Sequence, residues 1–248
     1  MDDKLLQQDA LNAVIVGDGG IGSALAENLL QRDNLRHLVI LQRNSEPGLS
    51  DPRVSTLQFD AQRPESLANA SASVHDKVDR VHLLFNTVGL LHSDQQQPEK
   101  RLRSLDPDNL QRSFAVNATL LPLLAREFGD LLRHDQASVL ASLSARVGSI
   151  EDNHMGGWYS YRASKAAHNM LLRTIAHEWR ISHRNTAVVA LHPGTVRSRL
   201  SEPFISAGYK NTVHTPAESA ANLLAVIDGL SAEASGQFLD WQGEAIPW

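Results

Sequence analysis

Tyr161 and Lys165 stand four apart in the run YRASK, a spacing that puts both side chains on one face if the segment is helical. A phenol with a pKa of about 10 is a poor proton donor or acceptor at neutral pH, but a neighbouring ammonium stabilises the phenolate and brings it into working range. Taken alone such a pair is more often a solvated helix face, so a proton-transfer role rests on what else the chain carries. The pair's natural counterpart lies near the other end of the chain, where GDGGIG sets Gly17, Gly19 and Gly22 in GxGxxG spacing with Gly20 and Ile21 among them. Between a strand and a helix this pattern suits a dinucleotide. The glycines give a tight turn, close approach to a pyrophosphate and close helix packing, and the helix start offers free N–H groups. Asp18 inside the motif must point away, because a carboxylate beside a pyrophosphate is repulsive. Where an acid would hold the ribose 2′-hydroxyl of NAD, the chain has Gln42 and then Arg43. A guanidinium fork pairs with a 2′-phosphate, so NADP is the preferred cofactor expected, with NAD the alternative.

These residues need a scaffold. Apolar runs of strand length occur at 12–16, 37–41, 54–59, 80–85, 138–143 and 186–191, separated by segments with helical periodicity at 21–31, 106–133 and 161–180. Strands alternating with helices predict an α/β fold, a single-domain Rossmann-type doubly wound parallel sheet with helices on both faces. One domain of 248 residues is large but ordinary for that architecture. Polar, Pro-containing stretches at 44–53 and 93–103 read as surface loops. The segment 195–214, rich in Gly, Pro and Ser with aromatics, reads as a substrate-covering loop before helical periodicity resumes at 215–230.

Composition narrows the partners. The net charge of -5 gives no electrostatic reason to bind nucleic acid, and no apolar run reaches the roughly 20 residues of a membrane span. With no cysteine, thiolate nucleophiles and disulfides are excluded. The polar start MDDKLLQQDA lacks the pattern of a signal peptide, so a cytoplasmic address is the expectation. Eleven histidines form no close ligand set, and metal catalysis is not expected. The tryptophans at 158, 179, 241 and 248 read as packing residues.

Taken in order, the motifs resemble the short-chain dehydrogenase/reductase family over nearly the whole chain. The glycine turn is followed by Asp60, by NTVG from Asn86 to Gly89 where the family has NNAG, by Asn117 in FAVNA, by a serine-bearing strand end, by YRASK, and by HPGTV. The stretch around YRASK and the ending FLDWQGEAIPW look most like the branch containing C-factor and small carbonyl reductases. The resemblance implies Tyr161 as general acid/base, Lys165 lowering its pKa and holding the nicotinamide ribose, and Asn117 anchoring a proton-relay water. It implies cofactor contacts at Asp60, Asn86, Gly89, Pro193, Gly194 and Val196. For the serine that holds the substrate oxygen, Ser144 is the closest match with Ser142 in reserve. An ungapped count from Gly148 instead reaches Ala145. The glycine turn is one residue shorter than the family's common form, and Thr87 and Val88 replace Asn and Ala.

The function expected is hydride transfer between a nicotinamide and a small-molecule carbonyl or alcohol. A noncatalytic, dinucleotide-sensing or signalling protein on the same fold is the alternative. The family commonly pairs the helices at 106–133 and 161–180, so a homodimer or homotetramer is expected. The shapes of segments 146–158 and 195–214 would set the substrate.

Overall fold

The computed structural model describes residues 6–43, 49–205 and 212–248. The middle of the loop expected at 195–214 and the first half of the one at 44–53 lie outside these residues, as does the start of the N-terminal segment.

The inner strands are apolar because they are covered on both sides, as parallel sheets require, whereas the edge strand VSTLQ at residues 54–58 is only half-buried. Strands β1 (Leu11–Val16), β2 (Leu35–Gln42), β3 (Val54–Gln58), β4 (Leu83–Asn86), β5 (Ser138–Leu143), β6 (Thr186–His192) and β9 (Phe238–Asp240) form one sheet in the order β3-β2-β1-β4-β5-β6-β9. Every pairing in it is parallel. Two short strands, β7 (Thr195–Val196) and β8 (Val213–His214), pair with each other at the two ends of the 195–214 segment.

Alternation along β1 divides the core. Leu11, Ala13 and Ile15 face α1 (Gly20–Leu30) and α6 (Pro216–Asp228), packing on Leu25, Leu29 and Leu223. Val14 and Val16 face the other layer, where α2 (Pro64–His75), α4 (Leu120–Leu132) and α5 (Tyr159–Ser182) contribute Leu67, Leu124, Phe128 and Leu172. Each such side chain, fully buried, contributes about 1.5 to 3 kcal/mol.

The sequence reading needs three corrections. The helix expected at 106–133 is three pieces: α3 (Pro107–Phe114), a π-helical turn over Ala115–Thr119, and α4. The turn carries Asn117, and π-bulges are found often at functional sites. Helix α2 and strand β9 were not anticipated. On the outer side of α5, Met170 and Ile181 stay exposed.

The strand order reverses between β1 and β4. Doubly wound sheets open a crevice at such a point, outside the carboxyl ends of the strands. The residues that follow β1, β4, β5 and β6 converge there.

Candidate active site

A cavity of about 570 Å³ occupies this crevice. Its floor on one side is the turn from β1 into α1. Gly17 has φ +101°, and a Cβ on it would lie 2.7 Å from Thr87 Oγ1, while a Cβ on Gly22 would lie 2.1 Å from the Gly17 carbonyl oxygen. Neither position admits a side chain. Thr87 pins the turn: its N–H donates to Val16 O at 2.8 Å, and its hydroxyl reaches Val16 O and Gly17 O at 2.9 and 3.2 Å. The threonine that departs from the family's NNAG thus holds the shortened turn closed.

Ser23 N donates to Gly19 O at 2.9 Å, starting the ladder of α1, so the N–H groups ahead of it lie outside the ladder. No acidic residue sits in the first turn of α1, and no side chain caps it. Gly19, Gly20, Ile21 and Gly22 all line the cavity. A cradle closed to side chains beneath an uncapped helix start fits the pyrophosphate of a dinucleotide. Asp18 is exposed and outside the cavity lining.

The far wall is made by α5. Tyr161 and Lys165 are buried and line the same cavity, together with Ser144, Ala145, Gly89, Pro193, Gly194 and Val196. Lys165 Nζ donates to Leu143 O at 2.9 Å, at the end of β5. Burial raises the Tyr161 phenol above its ordinary value and lowers the Lys165 ammonium to about 8. At neutral pH the phenol is therefore protonated and most of the ammonium still charged. Burial alone sets the phenol, and it works against the phenolate, so the structure does not bear out the expectation that Lys165 lowers the phenol in the absence of coenzyme.

Asn117 is a buried strut behind this wall. Its Oδ1 accepts from Leu90 N at 2.7 Å, and its Nδ2 donates to Leu90 O at 2.8 Å and to Ser164 Oγ at 3.0 Å. It locks the segment after β4 to the helix turn that carries Lys165. Asn86 takes Val88 N on its Oδ1 at 3.1 Å and donates to Ser142 Oγ at 3.0 Å. The Ser142 hydroxyl also meets His168 Nε2 at 2.8 Å, and the residue is fully buried and outside the cavity lining. Ser144 lines the cavity, but its Oγ donates to Asn169 Oδ1 at 2.6 Å. Arg43 is exposed just past β2, and Asp60 accepts from Gln62 N at 3.0 Å. Neither lines the cavity.

Sequence reasoning missed Thr87, Trp158, His192 and Phe204, all of which line the cavity. Thr87 and His192 stood inside the motifs NTVG and HPGTV, Phe204 inside the expected covering loop, and Trp158 directly after two glycines, but none of these signals named the residue itself.

Burial beneath the site has a consequence for stability. His168 is held down to about 3 by burial, with the Lys165 charge adding to it, and burial holds His192 down to about 4. Unfolded histidines titrate at about 6.5, so below that pH the unfolded chain binds protons that the folded one refuses. Stability is full above 6.5 and falls as pH drops toward 4, at about 1.4 kcal/mol per unit for each histidine. Urea midpoints between pH 7 and 4 check this, and His168→Leu should flatten the slope. A flat wild-type profile would contradict it.

A dinucleotide cradle at the strand-order reversal, facing a buried Tyr/Lys pair, defines a Rossmann-type NAD(P)-dependent oxidoreductase. Residues 11–207 match the family model described as short chain dehydrogenase, and the chain belongs to that family. It is 34% identical over 189 residues to the 1-hydroxy-2-glutathionyl-2-methyl-3-butene dehydrogenase of Rhodococcus sp. (strain AD45), covering 76% of this chain and 78% of that one. It is 36% identical over 148 residues to C-signal of Myxococcus xanthus, covering 59% and 83%. Among solved structures, the NADPH-bound carbonyl reductase from chicken fatty liver superposes with a TM-score of 0.84 at 24% identity, covering 98% of this chain and 96% of that one. Carbonyl reductase Sniffer of D. melanogaster does so at 0.83 and 20%, covering 96% and 100%. Among the described residues no helix is long and apolar enough to cross a membrane, and no group of three or more His, Asp or Glu is placed to hold a metal ion.

Proposed function

We propose that this enzyme interconverts a carbonyl and an alcohol in a small molecule, with Tyr161 as general acid/base and NADPH preferred over NADH. The observation that carries the reading is the shared cavity: the start of α1 and the Tyr161/Lys165 pair open onto one space. A bound reduced nicotinamide would supply hydride there. Tyr161 gives its phenolic proton to the substrate oxygen, and Lys165 stabilises the phenolate left behind. Lys165 also holds the nicotinamide ribose, while Asn117 and Asn86 keep the cavity wall and α5 in register. Ser144 is the hydroxyl nearest this work by sequence, and it reaches a substrate oxygen by giving up its bond to Asn169. Residues 195–205 of the expected covering loop border the substrate space, with Phe204 on the cavity wall.

Arg43 carries the coenzyme preference. Gly17 N donates to Leu41 O at 2.8 Å, which ties the glycine turn to the end of β2, two residues before Arg43. Arg43 is the residue that would hold a 2′-phosphate on that side of the turn. The chicken enzyme of similar fold was solved with NADPH bound. A charge-assisted bidentate contact contributes on the order of 1.5 to 3 kcal/mol, so Arg43→Ala should erase roughly tenfold or more of the NADPH preference. Titration of both coenzymes checks it. Wild type binding NADH as tightly as NADPH would remove Arg43 from the role, and absence of NADPH-dependent turnover over aldehydes, ketones and quinones would remove the reading itself.

A further inference from the structure

The backbone before α5 takes an uncommon path. Gly156, Gly157 and Trp158 have φ of +65°, +69° and +50° in succession. Glycine adopts this region freely, whereas a bulky residue there is strained and marks a constraint imposed by its surroundings. Here the constraint is Glu99, which is buried. Its main-chain oxygen accepts from Trp158 N at 2.5 Å, and its carboxylate takes Ser160 N at 3.2 Å and also the Ser160 hydroxyl. One residue from a distant loop thus caps the catalytic helix and fixes the residue just ahead of it.

That conformation places the Trp158 indole on the cavity. Its ring centroid lies 6.2 Å from that of Tyr161, at an interplanar angle of 73°, and 5.0 Å from that of Phe204, at 61°. Phe204 meets His92 edge-on in turn, at 5.7 Å. The indole therefore bridges the proton-donating phenol and the segment after β7. Leu91, Val147, Leu200 and Ile205 add apolar surface to the lining of the same cavity. Edge-to-face rings of this kind present flat apolar surfaces to a further ring.

We propose that Trp158, locked in its left-handed conformation by Glu99, determines specificity by selecting carbonyl substrates whose carbonyl carbon bears a planar aromatic group. The assignment rests on the proposed proton transfer from Tyr161. With the substrate oxygen at the phenol, the substituent beside it lies against the indole and Phe204, and a short alkyl chain leaves that wall unfilled.

The test compares benzaldehyde with butanal, following NADPH oxidation by wild type and by Trp158→Gly and Trp158→Phe. Glycine suits φ +50°, so removing the ring this way puts no new strain on the backbone. Wild type should favour benzaldehyde in kcat/KM by at least about tenfold, although butanal is the more electrophilic, which is within what apolar pocket contacts supply. Trp158→Gly should erase that preference, chiefly through the KM for benzaldehyde, with NADPH affinity unchanged by titration. Trp158→Phe should retain part of it. A wild-type ratio near one, or a ratio unmoved in Trp158→Gly, would overturn the role of Trp158 while leaving the oxidoreductase reading intact. Wild type that reduces neither aldehyde would overturn the role of Trp158, and the oxidoreductase reading falls with it only where ketones and quinones are not reduced either.

Discussion

Tyr161→Phe should lower turnover by roughly 10² to 10⁴ while leaving dinucleotide affinity close to wild type. The substitution removes one hydroxyl and keeps the ring, so the packing of Tyr161 against Trp158 survives. The glycine turn is on the opposite side of the cavity and is held by Thr87, which the change does not touch. What is lost is the only proton that the phenol could give to the substrate oxygen. Lys165→Met should be worse in a different way, because the ammonium both stabilises the phenolate and is expected to hold the nicotinamide ribose, so turnover and coenzyme affinity fall together. Steady-state kinetics alongside fluorescence titration of NADPH separate the two. Equal losses of affinity in both variants would show that Tyr161 acts in binding rather than in proton transfer.

Gly22→Ala should cost the fold as well as the site. The added methyl would sit 2.1 Å from the Gly17 carbonyl oxygen, which is backbone and cannot rotate away. Either the β1 turn opens or α1 lifts from the sheet, where Leu25 and Leu29 are fully buried. Overpacking of this kind costs about 1 to 3 kcal/mol, sometimes more. Displacing the helix start should also weaken dinucleotide binding by more than about tenfold, since hydrogen bonds to a charged group contribute roughly 1.5 to 3 kcal/mol each. Gly19→Ala is the control. Nothing lies within 4 Å of a Cβ there, so stability should stay within about 0.5 kcal/mol of wild type. Its methyl projects where a pyrophosphate would approach, so binding alone should weaken. Thermal melting with and without NADPH distinguishes the two variants; a Gly22→Ala protein as stable as Gly19→Ala would mean the turn is looser than this geometry allows.

Much of this was legible in the chain because burial on both faces turns parallel strands into plain apolar runs. The six strands read from such runs all exist, with ends shifted by a few residues, as at β4. The seventh, β9, has three residues, too few for a pattern. Helix α2 escaped notice because its Ala- and Ser-rich sequence shows little contrast between faces, its core contacts resting largely on Leu67, Ala70 and Val74. The continuous periodicity over 106–133 hid the π-helical turn at Asn117, since apolar spacing does not register one extra residue in a turn.

At the site, motif residues could be placed from sequence but their partners could not. Ser144 was found at the end of β5, yet the bond of its hydroxyl to Asn169 joins groups 25 residues apart and leaves no local trace. Ser142 stood in reserve behind it. In the fold it lies beneath the site, between Asn86 and His168. Trp158 read as a packing residue because its role depends on a backbone angle and on Glu99, which is 59 positions earlier in the chain.

The central claim is that this cavity transfers hydride to a carbonyl while Tyr161 supplies the proton. Reduced coenzyme carrying deuterium at C4 of the nicotinamide, incubated with the enzyme and benzaldehyde, tests it most directly by mass spectrometry of the alcohol. Deuterium on the carbinol carbon with wild type, falling by at least about 10² in rate with Tyr161→Phe, is the result expected. Tight coenzyme binding with no deuterium transferred to benzaldehyde or to any aldehyde, ketone or quinone offered would contradict it and favour a protein that senses the dinucleotide.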